Sequence, residues 1–118
     1  MAKKIELMAD YGCYPLWGKD PENIGDIDPN TLPLSQETIN RLEKWADAYD
    51  AKLNWDDPAS SGFPSAEAKD VFEKEGIGLW HQLRKELAPE YEVVYFSDRL
   101  RQHLTHPREL EQLQLIAK

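Results

Sequence analysis

The sequence predicts a small α+β domain, or a small α/β domain, in which two helices pack on one face of a small sheet. Two segments have the apolar spacing of amphipathic helices, a segment with alternating apolar residues precedes them, and a segment rich in β-branched and aromatic residues follows them. The length of 118 residues is typical of a single domain. Residues 1–118 are therefore expected to form one acidic α+β domain.

The first predicted element is a strand at residues 4–9. Ile5, Leu7 and Ala9 alternate with more polar positions, as they do in a strand with one buried face. Residues 10–34 follow and have neither a helical nor a strand period, but contain several glycines and prolines. A long irregular segment inside a compact domain is uncommon and usually functional. This aromatic and acidic segment is therefore predicted to be irregular and to have a function.

The first helix is predicted over residues 35–53. Ser35 has a side chain suited to an N-cap, and Leu34 and Ile39 have the spacing of a hydrophobic staple. Apolar residues at spacings of three and four predict one buried stripe. Its members are Ile39, Leu42, Ala46, Tyr49 and Leu53. Trp45 is expected at the edge of this stripe.

The second helix is predicted to begin after an N-cap at Ser65 and to end near Leu87, before Pro89. Gly76 and Gly78 interrupt its pattern. Each glycine costs about 1 kcal/mol relative to alanine in a helix interior, so the pair marks a break or a close backbone approach. Because position 76 falls on the apolar face, we expect a continuous helix with close packing.

Residues 91–97, YEVVYFS, have the composition of a strand with two largely apolar faces. We expect this strand to lie inside the sheet and to pair with the first strand. Leu100 and Leu104 suggest a helical turn after Asp98. Residues 109–117 leave two alternatives, a short helix or a strand.

The charge distribution is the second informative property of the chain, whose net charge is −8. Residues 1–97 contain 19 acidic and 10 basic side chains, whereas residues 98–118 contain 3 and 4. A negative field repels phosphate groups, so direct binding of nucleic acid or of an anionic membrane is not expected. It would instead attract a basic protein. Moderate acidity also keeps proteins soluble, and composition alone leaves both explanations open.

The sequence predicts a cytoplasmic location. No apolar run approaches the roughly 18 to 20 residues that cross a bilayer, and the first residues lack the apolar core of a signal peptide. Cys13 is the only cysteine, so no disulfide can form within the chain. A reducing compartment agrees with this cysteine content.

Candidate catalytic and metal-binding groups are few, and no cofactor is expected. Cys13 and a histidine base could form a nucleophilic pair, but no helix begins directly after Cys13 to activate the thiol. Four residues match ligand positions 1, 3, 5 and 12 of a calcium loop, namely Asp26, Asp28, Asn30 and Glu37, yet Thr31 replaces the glycine that the loop requires. A small hydrolase or a metal-binding protein is thus the weaker alternative, and no catalytic or metal-binding residue is assigned.

Aromatic and acidic side chains in residues 10–34 and 54–64 predict a binding surface. Aromatic residues with few rotatable bonds are typical interface anchors, and carboxylates guide a basic partner. The predicted partner-binding residues are Tyr11, Tyr14, Trp17, Asp20, Glu22, Asp26, Asp28, Trp55, Asp56 and Asp57. Tyr14 and Trp55 are expected to be exposed anchors, whereas Tyr11 and Trp17 could instead cover the core. The two segments are expected to lie near one rim of the sheet.

Three sequence blocks resemble short uncharacterised bacterial proteins; they are ADYGCYPLW at 9–17, DPNTLPLS at 28–35 and NWDDPASSG at 54–62. In general character the chain also resembles the immunity proteins of contact-dependent growth inhibition and related toxin systems. That resemblance implies a small, acidic cytosolic protein, monomeric or in a 1:1 complex, that blocks a basic toxin domain, commonly a nuclease. Another protein-binding or regulatory module is the alternative.

Overall fold

The computed structural model describes residues 3–10, 12–22, 24–51, 66–97 and 100–109. In chain order the described elements are β1 (Lys3–Leu7), β2 (Leu16–Gly18), β3 (Gly25–Ile27), α1 (Gln36–Asp50), α2 (Ala66–Leu87), β4 (Tyr91–Ser97) and β5 (Gln102–Leu104). One turn of 3-10 helix, Pro29–Thr31, lies between β3 and α1. The two helices and the mixed sheet confirm the predicted α+β class.

The strands form one sheet in the order β3-β2-β1-β4-β5. β1 and β4 are parallel, with Ile5 opposite Val93, and every other pair in the sheet is antiparallel. Parallel neighbours need a long crossover connection, which α1 and α2 provide here. The prediction that residues 91–97 form an interior strand paired with the first strand is confirmed.

Both helices pack on the face of the sheet that carries Ile5, Leu7, Val93 and Tyr95, which we call the covered face. Trp80 of α2 lies at its centre. The Trp80 indole donates a hydrogen bond to the carbonyl of Val93 at 2.8 Å, and its ring lies 5.3 Å from that of Tyr95. The large apolar side chains of the covered face therefore form the core of the domain.

Ser35 is the N-cap of α1, as predicted, because its hydroxyl accepts a hydrogen bond from the Thr38 amide at 3.2 Å. The helix ends at Asp50, and Leu53 lies outside the described residues. The placement of Trp45 at the edge of the buried stripe was wrong, since only 3% of it is exposed. Its ring stacks on Phe72 of α2 at 4.6 Å. α1 packs against α2 as well as the sheet, which widens its buried surface.

α2 runs without interruption through Gly76 and Gly78, which confirms the predicted continuous helix. A Cβ atom at Gly76 would lie 2.6 Å from the Tyr95 hydroxyl and 2.9 Å from the Trp45 ring. Real Cβ atoms do not approach other atoms so closely. Glycine is therefore required at position 76 by close packing. The predicted cap Ser65 lies outside the described residues.

Two predictions about irregular segments were wrong. Residues 10–34 contain β2, β3 and the 3-10 turn, with Leu16 paired to both Leu7 and Ile27. Strands of three residues are too short to show a period, and pairing with a neighbouring strand determines them, β2 on β1 and β3 on β2. The helical turn suggested by Leu100 and Leu104 is instead a turn followed by β5. Residues 110–117 of the tail lie outside the described part of the chain.

Candidate functional site

The connection between β1 and β2 forms a tight loop at the carboxyl end of β1. The Met8 amide donates to the Pro15 carbonyl at 2.9 Å, and the Cys13 amide donates to the Asp10 carbonyl at 3.3 Å. Gly12 has a φ of 70°, a conformation in which glycine avoids the strain of a Cβ atom. Its amide donates to a carboxylate oxygen of Asp50 at 3.1 Å. The last residue of α1 thus holds the tip of the loop.

Tyr14 is the large exposed aromatic residue of this loop, with 49% of it accessible to solvent. Its amide donates to a carboxylate oxygen of Asp26 at 3.0 Å. Its side chain lies near Asp28, just after β3, and contributes to the lowered pKa of that carboxyl. The Tyr14 backbone is therefore attached to the β2–β3 hairpin while much of the residue remains available to a partner.

Carboxylates surround this loop. Partial burial and the charges of Asp26, Asp10 and Asp50 raise the pKa of the Cys13 thiol. Conversely, hydrogen bonds from the amide and side chain of Asn30 hold the pKa of Asp28 below its ordinary value, with a contribution from Tyr14. The cluster therefore disfavours a thiolate while Asp28 stays ionised. We call the group of Tyr14 with Asp10, Asp26, Asp28 and Asp50 the Tyr14 surface.

Two other predicted residues in the described segments lie elsewhere. Asp20 and Glu22 belong to the turn between β2 and β3, at the end of that hairpin opposite Tyr14. A carboxylate oxygen of Asp20 accepts a hydrogen bond from the Lys4 amide at 3.0 Å. Trp17 is half-buried on β2 opposite Asp26, and its indole donates to the Met8 carbonyl at 2.8 Å. The structure therefore brings Tyr14, Asp26 and Asp28 together, with Trp17 beside Asp26, but not the whole predicted set.

Tyr11, Trp55, Asp56 and Asp57 lie outside the described residues, so their roles stay predictions, as does the nearness of residues 54–64 to this loop. Sequence reasoning missed Asp50. Asp50 is the last residue of α1, and its place in the helical spacing predicts only a solvent-facing side chain at the helix end. Its contact with Gly12 spans 38 positions and depends on the tertiary fold.

The candidate ligands of the calcium alternative have other contacts. Asp28 caps the 3-10 turn and accepts bonds from both nitrogens of Asn30 at 2.9 Å. Glu37 lies in the first turn of α1, where a negative charge favours the helix N-terminus. Among the described residues, no three histidine, cysteine or acidic side chains are grouped so that they could hold a metal ion. Neither α1 nor α2 has the length and apolar character needed to cross a membrane.

A comparison with protein-family models identifies the class of protein. A family model described as Serratia CdiI immunity protein-like matches residues 3–98, which include both helices and β1 to β4. The protein is thus of the immunity type. Specifically, the chain belongs to the Serratia CdiI immunity protein-like family. A comparison with curated proteins gave no match.

Proposed function

We propose that this protein binds a cognate toxin through the Tyr14 surface and neutralises it by covering a basic domain. Membership of an immunity protein family supports a toxin as the partner. The Tyr14 surface supports the place of contact, because a half-exposed ring stands among four carboxylates. The protein acts as a binding partner in the cytoplasm, without an enzymatic step, and forms a 1:1 complex.

The single observation that carries this proposal is the exposed aromatic residue Tyr14 on a backbone attached to the β2–β3 hairpin. Because a hydrogen bond to Asp26 orders the Tyr14 backbone before binding, less conformational entropy is lost when a partner covers the side chain. Aromatic anchors account for much of the energy of known interfaces. The surrounding carboxylates attract a cationic groove in the manner of a phosphate backbone, which favours a nuclease as the toxin.

A binding titration tests the proposal with the toxin domain encoded beside this protein in its genome. Truncating an anchor costs about 2 kcal/mol or more, so Tyr14→Ala is expected to raise Kd roughly 30-fold. The matched control is Ile24→Ala, because Ile24 is 79% exposed in the turn between β2 and β3, at the end of that hairpin opposite Tyr14, and should leave Kd unchanged. Circular dichroism establishes that both variants fold.

Two further measurements separate binding from catalysis. Cys13→Ser should leave neutralisation intact, since the raised pKa of Cys13 disfavours a nucleophilic thiolate. The association rate should fall steeply with ionic strength, because charges are screened within about 10 Å at 0.1 M salt. Loss of neutralisation in Cys13→Ser, with normal binding by Tyr14→Ala, would replace this proposal with an enzymatic one.

A further inference from the structure

The sheet has a second face, which no helix in the described part of the chain covers. Strand register places one set of side chains there, because Glu6 is opposite both Trp17 and Val94, Trp17 is opposite Asp26, and Phe96 is opposite His103. We call this the helix-free face. Its described members are Lys4, Glu6, Trp17, Asp26, Glu92, Val94, Phe96 and His103.

A buried carboxylate lies at the centre of the helix-free face. Glu6 is only 1% exposed, and its two oxygens contact side chains that reach over it from the surface. The Lys19 ammonium lies 3.0 Å from one oxygen, and His103 Nδ1 lies 2.5 Å from the other. The Lys19 and His103 side chains are 39% and 61% exposed. A partner that docks here therefore meets an ammonium and an imidazole fixed by a charge beneath them.

Aromatic and basic groups continue this surface toward β5. Phe96 is half-buried, and its ring lies 4.9 Å from the ring of His103. The Arg101 guanidinium lies 5.2 Å from the centre of the Phe96 ring. Aromatic residues and arginine are the types most enriched in protein interfaces. This edge of the face combines an apolar platform with positive charge, in contrast to the Tyr14 surface.

The helix-free face is continuous with the Tyr14 surface through Asp26. One carboxylate oxygen of Asp26 accepts the Tyr14 amide, while the residue lies in one row of the sheet with Trp17 and Glu6. A stable interface buries about 800 Å² on each partner and involves 20 to 30 residues. The five residues of the Tyr14 surface that the structure describes are fewer than such an interface uses. A tightly bound toxin would therefore contact neighbouring surfaces as well.

We propose that the toxin domain extends from the Tyr14 surface onto the helix-free face and that its contact surface carries both signs of charge. Basic groups of the toxin would face Asp26 and Asp28, and acidic groups would face Lys19, Arg101 and His103. This inference rests on the proposed function and specifies its partner. Charges of both signs fix the orientation of docking and reject partners that are merely basic.

A charge reversal at Arg101 should change Kd in opposite directions for a toxin surface with both acidic and basic groups and for a purely basic one. Arg101→Glu makes the protein more acidic, so a purely basic toxin would bind it at least as fast and as tightly as wild type. With acidic toxin groups opposite Arg101, the same change should raise Kd roughly 10-fold or more. Lys44→Glu is the matched control, because Lys44 is an exposed basic residue of α1 and its reversal should not raise Kd.

The titration uses the full-length protein and the toxin domain encoded beside it, with folding checked by circular dichroism. Arg101→Gln and Phe96→Ala provide a second route if the reversal impairs folding, and each should raise Kd several-fold. If wild type and Tyr14→Ala behave as proposed while the Arg101 and Phe96 variants bind like wild type, the extended interface is wrong and the proposed function stands. If wild type does not bind the toxin domain, both proposals fail.

Discussion

Glu73 and Glu6 are buried carboxylates on opposite sides of one sheet, and their surroundings differ in kind. Glu73 of α2 is 5% exposed and accepts hydrogen bonds from two neutral hydroxyls of the covered face, Tyr95 at 3.2 Å and Ser97 at 2.6 Å. Glu6 is 1% exposed and contacts Lys19 and His103, whose own side chains are largely accessible. One carboxylate is enclosed by the core, whereas the other is covered from outside.

This difference indicates a division of roles between the two faces. Neutral donors inside a packed core cannot be replaced by water, so the contacts of Glu73 act on stability alone. The partners of Glu6 reach the surface, where they can contact solvent or a bound protein. The covered face therefore maintains the domain, and the exposed rim of the helix-free face is where we propose recognition.

The difference between Glu73 and Glu6 can be tested by removing one hydrogen-bond partner from each carboxylate. Ser97→Ala takes from Glu73 a donor that also receives the Leu100 amide at 3.1 Å. Hydrogen bonds to charged groups contribute about 1.5 to 3 kcal/mol, so we expect unfolding free energy to fall by about 2 to 3 kcal/mol. His103→Ala should cost less, because water can take the place of the exposed imidazole beside Glu6. Urea unfolding of both variants measures the difference.

Equal losses in the two variants would show that the helix-free face is as structural as the covered face. A larger loss in His103→Ala would reverse the division of roles. In the expected case, neither variant changes the slope of unfolding free energy against urea, since both bury the same surface as the wild type.

A second prediction concerns how closely α2 packs on the covered face. Gly76→Ala places a Cβ atom against Tyr95 and Trp45, and overpacking costs about 1 to 3 kcal/mol, while alanine returns about 1 kcal/mol of helix propensity. We expect a net loss of about 0 to 2 kcal/mol. Gly78→Ala is the matched control, since its Cβ would meet only the end of the Arg41 side chain at 3.4 Å.

Gly78→Ala should therefore be neutral or should stabilise the protein by up to about 1 kcal/mol. Thermal unfolding of both alanine variants gives the comparison directly. A Gly76→Ala protein as stable as Gly78→Ala would mean that α2 can move away from the sheet and that the covered face is not rigid.

The smallest expected effect involves Glu86. Like Glu73, this carboxylate accepts hydrogen bonds from neutral donors, but it lies nearer the surface. Burial alone would raise the pKa of Glu86, but hydrogen bonds from Thr38, Ser35 and Gln82 outweigh burial and hold it below its ordinary value near 4.5. A depressed pKa in the folded state means that this stabilisation is present above pH 4.5 and is lost as pH falls through the folded pKa.

When the pH falls from neutral to below 4.5, the unfolding free energy of Glu86→Gln should therefore decrease less than that of wild type. Urea midpoints for the two proteins across this range measure the difference. If the two pH profiles are parallel, these hydrogen bonds do not favour the ionised form, and neutral donors would not be the basis of carboxylate stabilisation in this domain.

Local chemistry explains which parts of the fold the sequence revealed. The Ser35 cap, the helical spacing of α1 and the β-branched run of β4 are properties of neighbouring residues, so they can be read without the tertiary structure. The close packing of Gly76 was also predictable from its place on the apolar face. β2 and β3 were not, because three residues show no period and each strand is determined by pairing with its neighbour, β2 on β1 and β3 on β2.

The candidate site was partly predictable for the same reason. Tyr14, Asp26 and Asp28 are near one another in sequence, and the structure brings them together. Asp20 lies in a segment of similar composition, but at the opposite end of the β2–β3 hairpin from Tyr14. This position depends on the direction of the two strands, which the sequence does not show. The contact between Glu6 and His103 spans 97 positions and joins β1 to β5 across β4, so no local pattern could indicate it.

The parallel pairing of β1 with β4 has a consequence for synthesis on the ribosome. About 80 residues separate the two strands in the chain, and β1 can find β4 only after both helices have been translated. At 5 to 20 residues per second, the nascent chain waits roughly 4 to 16 s with this edge of β1 unpaired. If the proposed interface requires the closed sheet, toxin binding must wait until β4 has been synthesised.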